Sequence, residues 1–226
     1  CNHVGVPLTD PCEQLWRGVH CRGELVDELD LAGVGITGSI PSLIGGLAVL
    51  ETLVLANNSL SGSLPVAMGC LGYLAELDVS GNALGGSVSS VSWESVSNLT
   101  HLSLSRNSFV GSLPQSFSLL SKLVVLEAAD NDFGGVLPSS LGCLVTLTAL
   151  LLHGNSLTGS LPASFGCLSV LSVLDVAHNL FTGSLPTSLG SLVSIQSLDL
   201  SSNGFTGPAL PPFVVARTSL RHLQLS

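Results

Sequence analysis

A period of 24 residues constrains this chain more than any other feature. Set out in rows from Val26, the sequence repeats L-x-x-L-x-L-x-x-N-x-L/F-x-G-x-L-P-x-x-L/F-G-x-L-x-x. The rows start at Val26, Leu50, Leu74, Leu99, Leu123, Leu147, Leu171, Ile195 and Leu220. A fixed period of this length marks a stacked array in which no unit buries its apolar stripe alone. The organisation read from it is a leader over 1–25, eight repeats of 24–25 residues over 26–219, and the start of a ninth over 220–226. That last row stops without a closing cap, so the chain is expected to be part of a longer protein.

Three columns give the rows their structure. Asn58, Asn82, Asn107, Asn131, Asn155, Asn179 and Asn203 share one position. An inward Asn offers two donors and an acceptor, enough to bridge the turns of neighbouring rows. Pro41, Pro65, Pro114, Pro138, Pro162 and Pro186 bend the return path. Ile36, Leu60, Leu84, Phe109, Phe133, Leu157, Phe181 and Phe205 fill the space between the two sides. The alternating L-x-L segment reads as a short strand with Leu inward and the x positions outward.

This accounts for an otherwise odd composition. Hydrophobic residues make up 46% and charged residues 9%, with a mean hydropathy of +0.60. No stretch is long and apolar enough to span a bilayer. The net charge is −9 and Lys122 is the single lysine, which excludes a nucleic-acid partner and disfavours contact with an acidic membrane surface.

Period and wording resemble the plant-type extracellular leucine-rich repeat of receptor-kinase ectodomains, receptor-like proteins and polygalacturonase-inhibiting proteins. The resemblance covers residues 26–226 and implies an α/β repeat solenoid: a right-handed superhelix with a concave parallel sheet and outer 3₁₀ or extended segments. The leader's Asp10-Pro11-Cys12 and Trp16-Arg17-Gly18-Val19-His20-Cys21 resemble the family's N-terminal cap, which implies a Cys12–Cys21 disulfide. Trp16 is expected to pack on the exposed end of the first row. Cys1 has no assigned partner. Cys70, Cys143 and Cys167 share a G-C-L column and are expected to be free, half-buried thiols, because stacked side chains point the same way. The sequons at Asn57 and Asn98, with the cap disulfide, favour an extracellular protein.

Binding in a solenoid uses the outward positions of the concave strands. Here they run from an acidic N-terminal third to a central strip of Val125, Ala149, Leu151 and Val173, flanked by Glu127, His153, Asp175 and His178, with Arg106 nearby. Apolar residues on a strand face mark interfaces. The family's peptide receptors often clamp a peptide carboxylate with two arginines; no R-x-R pair occurs in these rows. In the third row, Ser87–Val96 breaks the pattern, and Trp93 reads as a core plug or as a partner contact.

No nucleophile elbow, metalloprotease helix or phosphate loop occurs, so neither catalysis nor a cofactor is expected. Asp130-Asn131-Asp132 is superficially calcium-like, but its Asn belongs to the ladder, and no metal site is expected. The resemblance implies an extracellular module of a plant-type receptor kinase or receptor-like protein. It would recognise a peptide or protein ligand, or a co-receptor. The alternative is a secreted inhibitor of a microbial wall-degrading enzyme. A third reading is an ice- or wall-binding solenoid that uses outer threonines such as Thr37, Thr158, Thr182 and Thr206.

Overall fold

The computed structural model describes residues 11–13, 16–207 and 220–225. Each L-x-L segment forms a strand: Leu25–Asp30, Thr52–Val54, Glu76–Asp78, His101–Ser103, Val125–Glu127, Ala149–Leu151, Val173–Asp175, Ser197–Asp199 and His222–Gln224. They pair in parallel, row on row, and Val19–Arg22 adds an antiparallel strand at the leading edge. The inward leucines Leu53, Leu77, Leu102, Leu126, Leu150, Leu174 and Leu198 form the floor of the core and are all buried.

The Asn column closes each turn. The amide nitrogen of Asn131 donates to the carbonyls of Leu104, Ala128 and Ala129, and its Oδ1 accepts from the Phe109 backbone N–H at 3.0 Å. Two of these four partners lie one row back, so the side chain welds row to row. The other six asparagines repeat the scheme; Asn58, for example, bonds Leu31, Leu55 and Ala56 and accepts from Ile36. Interior backbone groups that face no strand partner are thereby satisfied.

Each column proline sits in extended backbone, φ −61 to −73°, immediately before a 3₁₀ turn such as Gln115–Leu119 or Ala163–Cys167. The third row lacks the proline and splits its return into two short 3₁₀ turns, Val88–Ser90 and Trp93–Ser95. Ser87 opens the first by accepting from the Ser89 N–H. Trp93 is buried, stands edge-on to Phe117 at 5.1 Å and donates its indole N–H to the Val88 carbonyl. It is a core plug.

A second parallel sheet of eight short strands, from Thr37–Gly38 to Gly204–Thr206, lies after the Asn turn. The rows approach closely on the return side. A Cβ on Gly142 would lie 2.4 Å from the Ser164 carbonyl oxygen, so this position needs glycine for contact rather than for backbone freedom, although the row before carries Ser118 in the same column.

At the leading end, Cys12 and Cys21 are disulfide-bonded. Two expectations need correction here. Trp16 is 48% exposed, so it is not buried against the first row. Cys70 is disulfide-bonded, not a free thiol. Cys143 and Cys167 are free, but exposed rather than half-buried, because the 3₁₀ turns carry them on their outer side. Cys1 and the prolines of the eighth row, Pro208, Pro211 and Pro212, lie outside the described residues.

Candidate concave binding face

The outward positions of the concave strands are in register. Val125 pairs with Ala149 and Ala149 with Val173; Glu127 pairs with Leu151 and Leu151 with Asp175. The six side chains form a patch two columns wide and three rows deep, apolar but for the carboxylates of Glu127 and Asp175 at the two ends of one column. All are half-buried, less open than a lone outward Val or Leu would be, because neighbours one strand away shield one another.

The chain leaves each strand through a left-handed residue one position before the ladder Asn. Glycine holds it in three rows, at Gly33, Gly81 and Gly154; Asn57, Arg106, Asp130, His178 and Ser202 hold it in the other five, with φ of 51–55°. A left-handed non-glycine residue costs about 1 kcal/mol. Arg106 and His178 are both exposed there. The alternation has a cause at two places: Asp130 leans over the next row, where a Cβ on Gly154 would sit 2.3 Å from its Oδ1, and Asn57 does the same over Gly81, at 2.6 Å.

The lean of Asp130 builds a cluster across three rows. His153 Nδ1 lies 3.0 Å from Asp175 Oδ2, and its Nε2 lies 3.8 Å from Asp130 Oδ2. The shorter approach lacks the alignment of a hydrogen bond, so the contact is charge-dependent and strengthens only when the ring is protonated. Arg106 makes no ion pair among the described residues. The sequence brings His153 and Asp175 to attention; Asp130 was seen only as a metal-like residue, and its role becomes visible once Gly154 is seen to make room for it.

Four outward aspartates have a structural duty that sequence reading missed. Asp30, Asp78, Asp175 and Asp199 each accept, through Oδ1, the backbone N–H two residues on, at 2.8–3.0 Å. They cap the turn after the strand, an Asx turn foreshadowed by a short polar side chain at the strand's end. Glu127, too long for this, accepts instead from Ser103 Oγ one row back.

Toward the cap, Asp27 is buried and takes a 2.9 Å hydrogen bond from His20, with Arg22 3.4 Å away. The bond from His20, aided by the charges of His20 and Arg22, holds the Asp27 carboxyl below its ordinary value against the opposing effect of desolvation. Arg22 also bonds Glu51 at 2.8 Å, which raises the guanidinium further.

The two sequon asparagines differ. Asn57 is exposed at the edge of the concave face. Asn98 is half-buried and doubly engaged: its amide nitrogen donates to the Gly72 carbonyl and its Oδ1 accepts from Lys122 Nζ at 2.7 Å.

Comparisons with known proteins agree with this architecture. The profile described as "Leucine rich repeat" matches residues 145–205, and a second so described matches 49–71 and 98–120. The ectodomain of the plant membrane receptor kinase GASSHO1/SCHENGEN3 from Arabidopsis thaliana, solved in complex with CASPARIAN STRIP INTEGRITY FACTOR 2, superposes with a TM-score of 0.82 at 36% identity. The overlap covers 85% of this chain and 23% of that one. The Arabidopsis receptor kinase HAESA, solved with the peptide hormone IDA and the co-receptor SERK1, gives a TM-score of 0.72 at 30% identity, over 94% of this chain and 40% of that one. Protein STRUBBELIG-RECEPTOR FAMILY 5 of Arabidopsis thaliana is 46% identical over 43 residues, 19% of this chain and 6% of that protein. The chain therefore spans less than half the length of each.

Proposed function

We propose that this chain, a leucine-rich-repeat protein similar to the ectodomains of plant receptor kinases, is a ligand-recognition module that binds a peptide or protein outside the cell, or a co-receptor, on its concave face. The observation that carries the reading is the registered patch of Val125, Ala149, Val173 and Leu151 between Glu127 and Asp175. A solvated strand face has no need of aliphatic side chains there, whereas a recognition surface uses an apolar centre inside a polar rim. The similar receptor kinases solved with CASPARIAN STRIP INTEGRITY FACTOR 2 and with IDA and SERK1 support the same role. The inhibitor reading would use the same acidic face and gains no observation of its own.

Selection from a displayed random peptide library tests the reading. The protein is expected to enrich peptides whose binding is lost in the Leu151→Arg, Val173→Arg double variant. Binding should persist in Val66→Arg, a change at an exposed position of a return turn. Peptides that bind the double variant as well as the native chain would overturn it.

A further inference from the structure

The outward residue at the end of each concave strand belongs to one registered column: Asp30, Val54, Asp78, Ser103, Glu127, Leu151, Asp175, Asp199. Carboxylates stand on the first, third, fifth and seventh rows, with uncharged Val54, Ser103 and Leu151 between them; Asp199 on the eighth row and Gln224 on the ninth break the alternation. Adjacent strands lie about 4.8 Å apart, so alternate rows are about 10 Å apart. A polyproline II chain has three residues per turn and advances about 9.3 Å per turn. Resting on the recognition reading above, we propose that the concave sheet docks an extended peptide segment in a polyproline-II-like conformation with Lys or Arg at every third residue. The segment lies across the strands, and its successive cations meet Asp78, Glu127 and Asp175.

Three observations fit this occupant to the face. The first is charge. Rows one and three carry a second acid beside the column, Glu28 and Glu76, while Arg22 is already committed to Glu51 and Asp27. The second is the spare capacity of the acids. Asp30 and Asp78 spend Oδ1 on the turn and Glu127 spends Oε2 on Ser103; the other oxygen of each has no partner among the described residues. Asp175 spends Oδ1 likewise, and its Oδ2 faces His153. The third is the spacing of the apolar positions. Val54 sits midway between Asp30 and Asp78, and Leu151 midway between Glu127 and Asp175, where the two intervening residues of each triplet would pass. A polyproline II chain is also preordered and loses little entropy on docking.

The test compares acetyl-(Lys-Pro-Pro)₄-amide with an isomer of the same composition whose lysines are adjacent, by calorimetry at low and at physiological ionic strength. Three exposed ion pairs in register favour the period-three peptide by at least about threefold. Asp78→Asn and Glu127→Gln keep their internal hydrogen bonds and should each weaken that peptide about two- to fivefold; Glu94→Gln, on a return turn, should not. Equal affinity for the two isomers, or no effect of the Asp78→Asn, Glu127→Gln double variant, overturns the proposal. If neither isomer binds while the library yields ligands lost in Leu151→Arg, Val173→Arg, the basic triplet is wrong and the recognition reading stands. If the library also yields nothing, both fall.

Discussion

The ladder asparagines and the left-handed column divide each row's turn between them, one bonding across rows and one setting the backbone. Asn131 makes four hydrogen bonds in the interior. Asn131→Ala leaves the Phe109 N–H unpaired, while the Leu104 carbonyl keeps its bond from Asn107, and should cost about 1–3 kcal/mol in chemical unfolding, the range for one orphaned group. The left-handed column gives a controlled pair. Gly33 and Gly154 have φ of +64 and +65°, but a Cβ on Gly33 meets nothing within 4 Å, whereas one on Gly154 meets Asp130. Gly33→Ala should therefore cost about 1 kcal/mol from backbone alone, and Gly154→Ala clearly more. The excess should shrink when Asp130→Gly is added. Equal costs for the two alanines would mean that Asp130 simply swings aside.

At the scale of the element, the N-terminal hairpin is held by a disulfide and a charge cluster instead of by a row on each side. Closing the short Cys12–Cys21 loop contributes about 2–3 kcal/mol on a chain-entropy basis. Because contacts in a solenoid run between neighbours only, Cys12→Ser should raise amide exchange over residues 19–30 and leave 120–200 almost unchanged. Asp27 gives the same hairpin a pH dependence. Its folded carboxyl value is depressed, so its stabilisation is full above the ordinary aspartate value of about 3.9 and is lost as pH falls through the lower folded value. Melting between pH 6 and pH 3 should show a steeper loss in the native chain than in Asp27→Asn; parallel curves would remove Asp27 from the account. This network was not legible in the sequence, where His20 read only as filler in a cap motif that ends before Arg22. The strand–Asn–Pro order of each row was legible, because its columns repeat in register and each has a mechanical role. The second sheet was not. Its strands run through Thr/Ser-Gly-Ser, residues of poor strand propensity that pair only because the rows on both sides already hold them at strand distance.

The whole molecule is a stack, and its binding face is a consequence of stacking. The sequence shows which side chains point outward, since the period puts Glu127, Leu151 and Asp175 at equivalent positions. It does not show which acids are already engaged. The Asp30, Asp78, Asp175 and Asp199 turn caps and the Asp130–His153–Asp175 cluster arise between residues that only the fold brings together. The central claim, that a ligand lies across these strands, is read most directly by carboxyl footprinting of the protein with and without a library-selected peptide. The account predicts that Asp78, Glu127 and Asp175 lose reactivity on binding while Glu94 on a return turn and Asp132 on the second sheet keep theirs. Protection of Glu94 or Asp132, with the concave acids labelled as before, would contradict it.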